Sequence, residues 1–243
     1  VYAGQPVGAH FVGHPLADRI APGSDRAGAR QRLGLDDAAT VVAILPGSRD
    51  GEIMRLGEDF ARAAVELQSL RSQPPTFIAP MVSSRAAALF GAAVRRAGAP
   101  VRLLDGQADD ALAAADAALI ASGTATLQAL LHGTPMVVAY RLAPLTAFIA
   151  RDLGLVRLEH FSLPNLLAGE KLVEEFFQQD VQPAPLAAAV NALLEDAAAS
   201  ARLRGRFAHI HLTLRQGGAG RAAAVLLELL GARGIVAPGR EAT

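Results

Sequence analysis

The fold of this chain is decided by residues 117–141, which read AALIASGTATLQALLHGTPMVVAYR. An apolar run leads into Ser122, Gly123 and Thr124, and a helical pattern, a Gly-Thr-Pro stop and a second apolar run follow. This order predicts a strand, a tight turn, a helix and another strand. In a parallel sheet such a turn lies at the carboxyl end of a strand, where these folds bind ligands. Because the three turn residues are small, an anion can reach the free amides that begin the helix, which predicts a seat for a phosphate or pyrophosphate group.

The same alternation of strands and helices precedes this stretch. It predicts an α/β fold with a Rossmann-like parallel sheet covered by helices on both faces, followed by C-terminal helices. Predicted strands cover residues 7–12, 41–45, 76–81 and 101–104, and predicted helices cover residues 27–33, 52–70, 84–97 and 109–115. After residue 141 we predict a loop at 161–169 and helices at 144–153, 172–178, 186–194, 203–214 and 221–230.

Composition excludes several classes of site. Lys plus Arg and Asp plus Glu both number 23, so the chain lacks the basic excess of a nucleic-acid-binding protein, and we expect no nucleic-acid partner. The 243 residues include no cysteine, which excludes disulfides and thiolate metal sites and fits a cytoplasmic setting. No Asp-x-Asp sequence occurs, and His209 and His211 on a predicted helix are two residues apart whereas helical ligands need a spacing of three or four, so we expect no metal. The chain begins with Val1 rather than Met, and we expect a fragment.

A second polar turn follows the strand predicted at residues 41–45. Gly47 allows close backbone approach, Ser48 offers a hydroxyl, and Arg49 can form a bidentate pair with a phosphate. The alternative is an ordinary turn with a solvated arginine. Because this turn and the one at Ser122 both follow strands of one sheet, we expect them to converge on one crevice.

Two amide side chains are further candidates. Gln128 lies one turn into its helix and can face a ribose hydroxyl, or it can simply face solvent. Asn165 belongs to the apolar loop at 161–169, where the local pattern favours an amide that caps the backbone. Glu174 and Glu175 are interpreted as a solvated helix face.

Four segments, taken in order, closely resemble the C-terminal half of the bacterial lipid-A-disaccharide synthases. They are FVGHPLAD at 11–18, LPGSR at 45–49 with Glu52-Ile53, ASGTATL at 121–127 continuing to Tyr140-Arg141, and SLPNLLAG at 162–169. The resemblance covers nearly the whole chain and implies half of a GT-B glycosyltransferase, in which two Rossmann-like halves face each other across a cleft. It implies an interdomain strand and hinge at residues 1–18, a UDP-sugar-binding domain at 19–195 and C-terminal helices at 196–243, with the N-terminal acceptor domain absent.

The resemblance also implies a reaction. The family moves 2,3-diacylglucosamine from UDP to the 6-hydroxyl of 2,3-diacylglucosamine 1-phosphate, without a cofactor, which gives the β-1,6 disaccharide of lipid A and UDP. By resemblance, Arg49 and Asn165 match positions needed for activity, and Ser48, Glu52 and the 122–124 turn match the nucleotide cleft. Gln128 stands where the family usually has a glutamate that holds the ribose, so we expect weaker ribose binding. A helix N-terminus and an arginine can stabilise the charge on departing UDP without a metal.

The resemblance also implies partners, which depend on the N-terminal half of the enzyme. In the family it supplies much of the acceptor site, the catalytic carboxylate and the surface that meets the inner membrane, so we expect this chain to be inactive alone and its enzyme to be peripheral at the cytoplasmic membrane face. The family's C-terminal helices exchange between subunits of a homodimer, although those at 203–230 equally suit packing within one chain. Two other functions stay open: a stand-alone nucleotide-binding regulatory module, and another GT-B enzyme acting on UDP-GlcNAc, which does not account for the 162–169 motif.

Overall fold

The structure, a computed structural model, describes residues 8–142 and 160–232. Its centre is a six-stranded sheet in the order β3-β2-β1-β4-β5-β6, in which every neighbouring pair is parallel. The strands are β1 Val41–Leu45, β2 Thr76–Met81, β3 Val101–Asp105, β4 Ala117–Ala121, β5 Met136–Tyr140 and β6 Glu174–Phe177. The helices are α1 Pro15–Arg19, α2 Arg26–Leu33, α3 Asp50–Leu70, α4 Ser84–Ala97, α5 Ala108–Ala114, α6 Thr124–His132, α7 Leu163–Ala168, α8 Pro183–Glu195, α9 Ala197–Leu214 and α10 Gly218–Ala232.

Apolar side chains cover the sheet on both faces. Every residue of β1 and β4 is buried, which explains why both read as unbroken apolar runs. Helices α3, α4 and α8 form a core on one face through residues such as Phe60, Phe90 and Leu186. Helices α2, α5, α6 and α9 form the core on the other face, to which α9 contributes Phe207. The predicted parallel sheet with helices on both faces is confirmed, and α9 packs within the chain.

The N-terminal segment differs from its prediction. Residues 8–14 form no strand, and helix α1 begins at Pro15, within the segment predicted as a strand and hinge. The Nδ1 atom of His14 accepts a hydrogen bond from the backbone N–H of Leu16 at 3.2 Å, and Pro15 stands in the first turn of the helix, where it costs no hydrogen bond.

Two predictions in the C-terminal part are wrong as well. Residues 163–168 form helix α7 where a loop was predicted, because Pro164 suits a first helical turn and Gly169, at φ +68°, ends the helix. Residues 174–177 form strand β6 where a helix was predicted, because they pair with β5 in the register Val137 to Glu174. The helix predicted at 144–153 lies outside the described residues.

The strand order places the topological switch point of the sheet between β1 and β4. From β1 the chain proceeds through α3 to β2 on one side, and from β4 it proceeds through α6 to β5 on the other side. β1 and β4 are neighbours, with Leu45 opposite Ile120. Their carboxyl ends therefore flank the topological switch point, where doubly wound sheets open a ligand-binding crevice.

Candidate functional site

Both turns that the sequence singled out lie at this switch point. The turn at residues 46–49 follows β1, and the turn at residues 122–123 follows β4. Because neighbouring strands lie about 4.8 Å apart, the two turns begin side by side. They therefore lie next to each other at the carboxyl edge of the sheet, and the crevice that they would share stays a prediction.

The turn after β1 is organised around a carboxylate. Oε2 of Glu52 accepts hydrogen bonds from the backbone N–H groups of Ser48 at 3.0 Å and of Arg49 at 3.3 Å. Gly47 adopts φ +125°, and a Cβ at that position would lie 2.5 Å from the Cβ of Glu52. The amides of Ser48 and Arg49 are thus occupied by a side chain from the first turn of α3, and Gly47 permits this close approach.

Arg49 projects from this turn into solvent. Its Nη1 donates to Oε1 of Glu52 at 3.1 Å, yet the Arg49 side chain is 84% exposed whereas that of Glu52 is 16% exposed. A guanidinium tethered on one side still has free N–H donors. The arrangement gives Glu52 the task of shaping the turn and leaves Arg49 able to contact a bound anion.

The turn after β4 is open. Gly123 is exposed at φ +155°, no atom of the described residues lies within 4 Å of an added Cβ, and Thr124 is also exposed. Helix α6 begins at Thr124, so its first amides have no partner within the helix and carry the positive end of its dipole. Ser122 is half-buried, and its hydroxyl donates to the carbonyl of Phe161 at 3.3 Å. The pair Gly123-Thr124 is therefore the part of the turn that is accessible to an anion.

Gln128 is half-buried on α6 and contacts a residue of α5. Its Nε2 donates to Oδ1 of Asp109 at 3.2 Å, and Nε2 of His132 lies 3.2 Å from the same oxygen. Burial lowers the pKa of His132 below its usual value, and the neighbouring Asp109 opposes that shift. The sequence did not predict the contact with Asp109, because no spacing pattern links residues that lie on different helices.

Asn165 faces inward. Its side chain is fully buried, its Nδ2 donates to the carbonyl of Val173 at 3.0 Å, and its Oδ1 accepts from the backbone N–H groups of Leu172 at 2.7 Å and Val173 at 2.9 Å. The local interpretation of this amide as a backbone cap is confirmed. Its role in activity stays a prediction, and these contacts point to positioning: Asn165 holds the chain between α7 and β6.

Glu175 is a residue that the sequence reasoning missed. Its side chain is only 9% exposed, and Oε1 accepts from the backbone N–H groups of Phe161 at 3.1 Å and Ser162 at 2.6 Å. The helix predicted at Glu174 and Glu175 is wrong, since both lie on β6, but Glu174 is exposed to solvent as predicted. Glu175 thus anchors the segment whose Phe161 carbonyl accepts from Ser122.

The described part of the chain offers neither a metal cluster nor a membrane span. Within residues 8–142 and 160–232, no group of three or more His, Cys, Asp or Glu residues is placed to hold a metal ion. None of the helices in the same residues is long and apolar enough to cross a membrane.

Comparison with known proteins identifies the family. A family model described as lipid-A-disaccharide synthetase matches residues 1–225. The chain belongs to this family. Lipid-A-disaccharide synthases from Alkalilimnicola ehrlichii and Azotobacter vinelandii are each 49% identical to it, over 92% and 94% of the chain respectively. The chain spans 59% of the length of each of these two synthases.

Solved structures with the same fold are more distant in sequence. WaaG, a glycosyltransferase involved in lipopolysaccharide biosynthesis, is 16% identical with a TM-score of 0.58, over 87% of this chain and 54% of its own. Anabaena HepE in complex with UDP and glucose is 17% identical with a TM-score of 0.51, over 87% of this chain and 55% of its own. This member of the lipid-A-disaccharide synthetase family thus has the fold of one half of a GT-B glycosyltransferase.

Proposed function

We propose that this chain is the donor-binding half of a lipid-A-disaccharide synthase. The complete enzyme would transfer 2,3-diacylglucosamine from UDP to the 6-hydroxyl of 2,3-diacylglucosamine 1-phosphate, giving the β-1,6 disaccharide and UDP. One observation carries the proposal: two small polar turns, at Gly47 and Gly123, flank the switch point of the sheet in a chain of this family. The UDP and glucose bound to HepE, which has the same fold, support a nucleotide sugar as the ligand.

The proposed binding mode follows from the accessible donors. The pyrophosphate of UDP would sit against the first amides of α6, at Gly123 and Thr124, where the helix dipole favours negative charge. Arg49 would contact the same phosphates from the neighbouring turn. When the sugar leaves, charge grows on the β-phosphate, and these two groups would stabilise it without a metal ion. Gln128 would contact the ribose, and Asn165 would hold the adjacent segment in place.

The rest of the reaction would come from the other half of the enzyme. We propose that this half supplies the general base, much of the acceptor site and the contact with the cytoplasmic face of the inner membrane. A homodimer through the C-terminal helices is part of the same proposal. It is supported by α10, on which Leu226, Leu227 and Leu229 are exposed at 59%, 59% and 48%.

Two measurements test the proposal in sequence. Titration calorimetry of this chain with UDP, in the presence of EDTA, is expected to show binding to one site. The chain fused to the N-terminal half of the Alkalilimnicola ehrlichii synthase is then expected to release UDP from the diacylated donor only when the lipid acceptor is present.

The controls separate the outcomes. ADP serves as the matched control nucleotide, and we expect it to bind more weakly than UDP. A folded chain that binds no UDP would contradict the donor-site proposal. A folded fusion protein that binds UDP but never releases it from the donor would instead favour a nucleotide-binding module without transferase activity.

A further inference from the structure

Gln128 is held by a carboxylate on the neighbouring helix. Asp109 lies in the first turn of α5, and its Oδ1 accepts from Nε2 of Gln128 at 3.2 Å. A carboxylate offers acceptors alone, so the amide group that faces Asp109 must be the NH₂. The carbonyl oxygen Oε1 of Gln128 is then the free end of the side chain, and it is a hydrogen-bond acceptor.

Asp109 is itself held in place from two other sides. Nε2 of His132 lies 3.2 Å from Oδ1, and Nη2 of Arg19 donates to Oδ2 at 3.3 Å. On the far side of the imidazole, Oγ of Ser24 lies 2.9 Å from Nδ1 of His132 and 3.0 Å from its carbonyl oxygen. Because the carboxylate of Asp109 can only accept, the neutral imidazole of His132 carries its proton on Nε2. The hydroxyl of Ser24 then donates to Nδ1 and to the backbone carbonyl of His132. The carboxylate therefore has a defined orientation before any ligand binds.

This environment explains why glutamine suits position 128 in this chain. A glutamate there would place two carboxylates about 3 Å apart, and like charges at that separation repel strongly. Glutamine instead donates to Asp109 and keeps one acceptor free, which is the property that binding a ribose hydroxyl requires. Gln128 follows Thr124, the first residue of α6, by about one helical turn, or roughly 6 Å along the helix axis. The ribose hydroxyls of a nucleoside diphosphate lie at a comparable distance from its pyrophosphate.

We propose that Asp109 is a positioning residue for nucleotide recognition: it orients Gln128 so that the carbonyl oxygen accepts a hydrogen bond from a ribose hydroxyl of the donor. This inference rests on the proposed function, because it assumes that the pyrophosphate binds at α6. It assigns the discrimination between ribose and deoxyribose to a pair of residues, Asp109 with Gln128, rather than to Gln128 alone.

The test compares two ligands that differ only in the ribose hydroxyls. Affinities of the chain for UDP and for 2′,3′-dideoxy-UDP are measured by titration calorimetry, and their ratio isolates the ribose contact. We expect the unmodified chain to bind UDP about tenfold more tightly, as one hydrogen bond of ordinary strength would give. D109N removes the obligatory acceptor and lets the amide of Gln128 rotate, and Q128E sets two carboxylates against each other. In both variants the ratio is expected to fall to about two or less.

The double variant D109N/Q128E is the decisive sample. Because residues 128 and 132 both face the Oδ1 position, the asparagine introduced on α5 can place its NH₂ there and donate one N–H to the glutamate introduced on α6 and the other to Nε2 of His132, which then carries its proton on Nδ1. The asparagine carbonyl accepts from Arg19, and one oxygen of the introduced glutamate becomes free for the ribose. We expect the ratio to return to about tenfold or more. The matched control is D110N, the same change one residue along α5, where Asp110 pairs with Arg32 at 2.8 Å and does not contact Gln128. Its ratio is expected to equal that of the unmodified chain.

The outcomes separate this inference from the function on which it rests. If D109N keeps the tenfold ratio, or if the double variant discriminates no better than either single variant, the positioning role of Asp109 is refuted while donor binding stands. If the unmodified chain binds both ligands equally, the ribose contact is wrong as well. If it binds neither ligand, the donor site itself is wrong. Thermal unfolding followed by circular dichroism verifies that each variant is folded, and the dideoxy ligand is expected to bind all of them within twofold.

Discussion

The replacement of Arg49 by alanine is the sharpest test of the crevice. The Arg49 side chain is 84% exposed, and its ion-pair partner, Glu52, lies three residues later in the first turn of α3. Exposed ion pairs of this kind contribute at most about 1 kcal/mol to folding, so Arg49→Ala is expected to change the free energy of unfolding very little. The substitution would, however, remove the guanidinium that we place beside the pyrophosphate.

The expected loss of affinity follows from the charges involved. A hydrogen bond between two charged groups contributes about 1.5–3 kcal/mol, which corresponds to a loss of UDP affinity of roughly 10- to 150-fold. The substitution also leaves the carboxylate of Glu52 without its cation, next to the phosphates, which favours the upper part of this range. Arg49→Lys keeps the charge but loses the planar fork, so its affinity is expected to lie between those of the other two proteins.

Titration calorimetry with UDP, at constant ionic strength, measures this effect. Arg62→Ala is the matched control, because Arg62 lies on the helix that follows the same turn, is 61% exposed and forms a comparable ion pair with Glu58 at 2.8 Å. We expect it to bind UDP as the unmodified chain does. A folded Arg49→Ala variant with unchanged UDP affinity, or a loss of equal size in Arg62→Ala, would refute the placement of Arg49 beside the phosphates.

Three further predictions concern the supports of the fold and the site. Gly47→Ala forces a Cβ to within 2.5 Å of the Cβ of Glu52, so it should lower the free energy of unfolding by about 1–3 kcal/mol. The same change should weaken UDP binding in calorimetry, and unchanged binding would contradict the close approach. Arg30→Met should lower the free energy of unfolding in urea by about 3–5 kcal/mol, because Arg30 is 1% exposed and pairs with Asp116 at 3.0 Å; a loss below about 1 kcal/mol would show that the pair is dispensable. Burial lowers the pKa of His132, so the unfolded chain binds the proton more readily, and stability should fall as the pH drops below about 6.5. The thermal midpoint of His132→Gln should depend less on pH over that range, and an identical pH dependence would contradict this assignment.

Much of the sheet could be predicted because local signals agree with the tertiary environment. β2 and α4 have the bounds predicted for them, since an apolar run ending at Met81 and a helix bracketed by Ser83 and Gly98 carry their own boundaries. The position of both turns at the same edge of the sheet could also be predicted, because alternating strands and helices leave few topologies open.

What could not be predicted depends on contacts between distant residues. Residues 174–177 read as part of a helix, and they become a strand because β5 offers an edge with which they pair. Glu175 was predicted to face solvent because its contacts with the backbone of Phe161 and Ser162 exist only in the folded chain. Asp109 acquires its importance only when α5 lies against α6, 19 residues away from Gln128 in the sequence. Such tertiary contacts leave no periodic pattern that a single sequence would reveal.

The two turns at the switch point are not equivalent, and we propose that they stabilise the charge of the donor in different ways. By sequence both can offer backbone amides to a phosphate, but Glu52 already occupies the amides of Ser48 and Arg49. An incoming phosphate at that position would meet a carboxylate, whereas at Gly123 it would meet the positive end of α6 and no other side chain of the described residues. We therefore propose that the first amides of α6 form the backbone seat for the pyrophosphate. The turn after β1 would contribute the side chain of Arg49 instead. The carboxylate of Glu52 accepts from two amides of this turn and from one N–H of the Arg49 guanidinium. The turn and the guanidinium are therefore oriented before the ligand binds.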